Sequence, residues 1–112
     1  MVVANKDALD RPRRSVLSSF AVSPIAMMVS VTIDLSVAPQ DKHMEQMKAA
    51  ALALTNDSSS VRVICPRELP KRICAAFTML DARQADEVDR IGRQFWQVDN
   101  YNDSSIGFSP PA

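Results

Sequence analysis

Nineteen consecutive residues, Ser15 to Ile33, carry no charge, and they lie between the pair Arg13-Arg14 and Asp34. The fate of this stretch constrains everything downstream. Kept, it supplies an apolar strand to a single domain of up to 112 residues. Removed, it leaves residues 39–112, a length at which one hydrophobic core is marginal without a staple or a second copy. Its second half has the pattern of a strand. Val29, Val31, Ile33, Leu35 and Val37 alternate with Ser30, Thr32, Asp34 and Ser36, the period of a half-buried, β-branched strand. Pro39 closes the run. A membrane anchor wants about 20 apolar residues, and here Ser18, Ser19, Ser23, Pro24 and Ser30 interrupt it.

The order of features around that stretch has a second meaning. Arg13-Arg14-Ser15-Val16-Leu17 is an arginine pair, a free position and two apolar residues. A moderately apolar run follows, and Ser36-Val37-Ala38 places small residues where a signal peptidase reads. Residues 12–38 therefore resemble a bacterial twin-arginine export signal. The resemblance implies cleavage after Ala38, a periplasmic or exported protein, and membrane contact only through the N-terminal stretch. Retention of the stretch as a leader plus strand implies a cytoplasmic domain.

Downstream, Gln40 to Leu54 reads as a helix. Pro39 precedes it, Asp41 and Glu45 suit its positive end, and Ala49-Ala50-Ala51 gives high propensity. Thr55 to Ser60 is a loop, because its short polar side chains compete with the backbone for hydrogen bonds. Val61 to Cys65 reads as a short strand ended by Pro66. With residues 28–37 kept, the two strands flank the helix as a βαβ unit. From Leu69 on, an apolar stripe steps through Ile73, Phe77, Leu80, Gln84, Val88, Ile91, Phe95 and Val98 at intervals of 3 or 4. That is helical spacing, either as one long helix or as a hairpin broken at Asp81. Residues 99–112, rich in Asn, Asp, Ser and Pro, read as an irregular tail. The expected fold is mainly α, a small α+β chain of two or three helices with one or two short strands. Its helical domain spans residues 39–98.

Composition limits the chemistry. Formal charge sums to zero, which gives no global pull toward nucleic acid and favours self-association. The two glycines, Gly92 and Gly107, are too few for a phosphate-cradling loop. Zinc needs three or four ligands at recognisable spacing, and the chain has one histidine, His43, and two cysteines. No cofactor, metal site or catalytic residue is expected. Cys65 and Cys74 form a candidate disulfide that would suit an oxidising compartment. Arg62, Arg67, Lys71 and Arg72 form a candidate basic contact patch.

Two functional expectations follow. The leading one is a non-catalytic accessory or interaction protein presenting a helical surface. It would bind a protein partner or a second copy through Leu69, Ile73, Phe77, Val88, Ile91 and Phe95. The alternative is a dimeric DNA-binding regulator: a strand at 61–65, a helix at 67–80 and a helix at 82–97 resemble the ribbon-helix-helix order. That resemblance implies paired strands entering the major groove, and a nucleic-acid partner enters only with it.

Overall fold

A computed structural model describes residues 25–80 and 82–110 of the chain. The elements run β1 (Ala26–Leu35), α1 (Asp41–Leu54), a single 3-10 turn (Ser58–Ser60), β2 (Arg62–Ile64), β3 (Arg72–Leu80), α2 (Ala85–Phe95) and β4 (Tyr101–Ser109). The strands form one sheet in the order β2-β3-β1-β4, and every neighbouring pair is antiparallel. This β-α-β-β-α-β order, with β3 inserted between β1 and β2, is the split βαβ, or ferredoxin-like, arrangement. Both helices cover one face of the sheet.

β1 is the central strand. Ala26–Asp34 pair with Leu80–Arg72 on one side, and Met28–Asp34 pair with Ser109–Asp103 on the other. Its alternation does what the sequence pattern requires: Met27, Val29, Val31, Ile33 and Leu35 are buried under the helices. α1 adds Met47, Ala50, Ala51 and Leu54 to that core, and α2 adds Ile91 and Phe95. The rings of Phe77 on β3 and Phe95 on α2 stack with centroids 6.1 Å apart, at an interplanar angle of 20°.

The mainly helical expectation is overturned. Residues 72–80 are a strand, and residues 101–109, expected as tail, are another. The first error has a simple origin. Residues four apart share a helix face, but they also share a sheet face, because four is a multiple of two. Ile73 and Phe77 therefore satisfy both periods. The decisive residues lie between and after them: Ala75 and Met79 are also buried, whereas Leu80 is exposed, so the parity is that of a strand. Pro66 and Pro70 flank the turn that leads into β3, where Arg72 N–H donates to Leu69 O at 3.0 Å. The second strand is imposed by pairing. Asn, Asp and Ser have poor strand propensity, yet Ile106 and Phe108 reach the core by alternation and β1 offers a free hydrogen-bonding edge.

Short polar side chains complete the sheet where strands run out. β2 pairs only with Cys74–Ala76 of β3, which leaves the outward groups of Thr78 without a strand partner. The loop supplies them. Thr78 N–H donates to Ser60 Oγ at 3.0 Å, and Thr78 O accepts from Thr55 Oγ1 at 2.7 Å and from Asn56 N–H at 3.3 Å. At the other end of α1, the fully buried His43 joins two loops. Its Nδ1 accepts the Gln40 backbone N–H at 2.9 Å, so the ring proton is on Nε2, which donates to Asn100 Oδ1 at 3.1 Å. Asn100 has a positive φ of 62°, a conformation that asparagine tolerates, and its carbonyl accepts Ser36 N–H at 2.8 Å.

Two stability outcomes follow. Arg13 and Arg14 lie outside the described residues, but Ala38 is exposed in the loop just after β1. A chain beginning at Pro39 lacks the central strand, so calorimetry should show no cooperative melting transition; a sharp transition would refute β1's central role. His43→Ala removes the acceptor of the part-buried Gln40 N–H and leaves a cavity where the ring was, and urea denaturation should record a loss of about 2–4 kcal/mol.

Candidate functional site

With both helices on one face, the other face of the sheet is open among the described residues. Its centre is built of small side chains in register. Ser30 lies opposite Ala76 on β3 and Gly107 on β4, and Thr32 lies opposite Cys74 and Ser105. Thr32 Oγ1 and Cys74 Sγ are 4.0 Å apart. Ser30, Ser105 and Gly107 are exposed. Arg62 and Ile64 of β2 fall opposite Ala76 and Cys74, on this same face. Among the described residues the face bears no aromatic ring: Tyr101 and Phe108 of β4 pack against the core instead. It therefore lacks the stacking platform on which a sheet holds unpaired bases.

Charge enters the face along one row. Asp34 lies opposite Arg72 on one side and Asp103 on the other. Arg72 grips Asp34 with both arms of its fork, Nε to Oδ1 at 2.8 Å and Nη2 to Oδ2 at 3.2 Å. That hydrogen-bonded guanidinium holds the Asp34 carboxyl below the ordinary carboxylate range, and the same bond raises Arg72. One cation thus serves a row with two carboxylates. Asp103 stands beside a like charge in a directly opposed position, which is unfavourable on a sheet.

The residues singled out from the sequence are dispersed. Arg62 and Arg72 both lie on the open face, but their register positions differ by four residues along β3, about 13 Å. Arg62 folds back, donating from Nη1 to Ser59 O and Val61 O, each at 2.9 Å. Arg67 and Lys71 are exposed in the β2–β3 turn. Cys74 is half-buried on the open face, and Cys65 is exposed just beyond the end of β2; both thiols are free. Of the six residues expected to bind a partner, Ile73, Phe77, Ile91 and Phe95 are almost wholly buried. They build the core and present no outer surface. Val88 is half-buried, and only Leu69 is exposed.

The ribbon-helix-helix reading loses its first helix, since residues 72–80 form β3. Sequence reasoning missed Asp103, Ser105 and Gly107 because it placed them in a tail. The available signal was the alternation of Ile106 and Phe108 with Ser105, Gly107 and Ser109, closed by Pro110. Among the described residues no cluster of three or more His, Cys, Asp or Glu is placed to hold a metal ion, and no helix is long and apolar enough to cross a membrane.

The Arg72–Asp34 pair makes a pH-dependent contribution whose sign is fixed. Asp34 in the folded chain binds a proton less readily than in the unfolded chain, so its stabilisation is present above the unfolded value of about 3.9. It is lost as pH falls through the lowered folded value. The side chains are about a third exposed, so solvent keeps the effect small. Urea midpoints measured from pH 6 down to pH 2 should fall less steeply in Asp34→Asn than in the parent chain; parallel curves would deny the pair this role.

Comparison with family models, with characterised proteins and with solved structures finds no match to this chain.

Proposed function

We propose that this chain is a non-catalytic interaction protein that works by presenting the open face of its sheet to a protein partner. One observation carries this reading: β1, β3 and β4 hold a patch of Ser, Thr, Ala, Cys and Gly side chains, bordered by Arg62 and the exposed Ile64 of β2, that no element among the described residues covers. Such a surface is flat and gains by apposition to another ordered backbone, because small side chains let the two surfaces approach closely. The surface moves from the helices, where the sequence stripe had placed it, to the opposite side of the molecule. Of the stripe residues, Ile73, Phe77, Ile91, Phe95 and Val98 are consumed by the core.

This reading keeps β1 in the working protein. Export, where it occurs, then requires a processing site ahead of residue 25, since a cut after Ala38 removes the centre of the sheet. The basic patch contributes little as a unit, because Arg72 is neutralised by Asp34 and Arg62 is turned toward its own loop.

A photo-crosslinking residue tests the surface. Placed at Ser105 on the open face, it should give discrete protein adducts in the native host. Placed at Lys48, exposed on α1, it should give none. Equal labelling from both positions, or no adduct from Ser105, would remove the open face as the working surface.

A further inference from the structure

Nothing among the described residues accounts for Gly107. It sits in the interior of β4, where glycine weakens a strand. It is not among the residues with positive φ, and a Cβ added to it would meet nothing within 4 Å. A glycine in a strand with room on every side often marks a place where another backbone comes close. Gly107 lies on the open face, opposite the exposed Ser30.

The charges of the same face say what approaches. Arg62 at the β2 edge faces Ala76 in the ladder and meets the carbonyls of Ser59 and Val61 but no carboxylate among the described residues, so its charge is unmatched there and its side chain must swing out to reach a partner. Asp103 at the β4 edge faces Asp34, which Arg72 already satisfies. The two edges of one face therefore carry opposite, incompletely matched charges. They are separated by three strand spacings, about 14 Å, and by four residues along the strands, about 13 Å. A two-fold axis lying in the plane of the face and exchanging these corners passes between Cys74 and Thr32. Because it runs diagonally, it crosses the strands of the two sheets at about 90°, one of the two preferred angles of sheet-on-sheet packing. On the same lattice it lays Ser30 of one copy against the Ser105–Gly107 segment of the other.

We propose that the open face is a two-fold interface between two copies of this chain, with the Arg62 corner of each copy against the Asp103 corner of its partner and Gly107 at a close approach of the two backbones. This deepens the interaction reading above and rests on it, with a second copy as the partner. The footprint, three strands of nine or ten residues and one of three, is about 480 Å² per copy from ideal spacings, well below the roughly 800 Å² of a standard interface. The dimer is therefore reversible and concentration-dependent. Zero net charge at pH 7 does not oppose it.

Sedimentation equilibrium on the full chain tests the assembly, and three substitutions test the geometry. Arg62→Asp and Asp103→Arg should each weaken dimerisation by about tenfold or more, and the double variant should recover most of it, because both corners are reversed together. Gly107→Val should leave the monomer's melting temperature unchanged or raised, since valine favours strands, while abolishing the dimer. A purely structural glycine would give the reverse.

In a Cys65→Ser background, a short bis-maleimide should join two copies through Cys74. In the Cys65→Ser, Cys74→Ser chain carrying Lys48→Cys it should join none. A chain that stays monomeric at millimolar concentration overturns the proposal, and adducts from Ser105 to a different protein would then leave the interaction reading standing. A dimer indifferent to all three substitutions overturns this interface.

Discussion

The sheet depends on one strand having two hydrogen-bonded neighbours. β1 gives its backbone to β3 on one edge and β4 on the other, and five of its side chains point into the core. Neither neighbouring strand touches the other. β4 in particular has little claim to strand conformation by composition and takes it because β1 supplies an unsatisfied edge. The helices follow from the same constraint: one face of β1 is apolar and the other is Met, Ser, Thr and Asp, so both helices are drawn to one side.

Around that frame, short polar side chains take over where the ladders stop. β2 is three residues long, and Thr55, Asn56 and Ser60 finish the outer edge of β3 where it ends. A short strand backed by a polar loop is one way of blunting an edge against pairing with other chains. At the far end of α1, the buried His43 ring links the β1–α1 loop to the turn before β4. This histidine looks like a surface residue by its place in the sequence and its flanking lysine, and its burial follows from the two hydrogen bonds that satisfy both ring nitrogens.

How much of this was legible before the structure depended on whether a local pattern was unambiguous. Val29 to Leu35 alternate too cleanly to be helical, and the alanine-rich run after Pro39 has no competing period. α1 and β1 were therefore readable within a residue or two. The loop at Thr55–Ser60 was readable from its side-chain chemistry. Residues 69–80 were not, because spacings of four belong to both periods, and only Ala75 and Met79 decide between them. β4 was illegible for a different reason: its conformation is set by a partner far away in sequence, and its own residues favour turns. The open face inherited both failures, since half its residues come from β3 and β4.

The pairing of β1 with β4 joins nearly the first described residues to nearly the last. Such a connection is costly to close and slows folding relative to a chain of local contacts. On a growing chain, β1 is made before the other described strands but has no neighbour until β3 has been synthesised, and its second edge stays bare until β4 follows. Throughout that interval a ten-residue strand with an apolar face is available to other chains. The vulnerable moment of this protein is its own synthesis, before β4 closes the second edge.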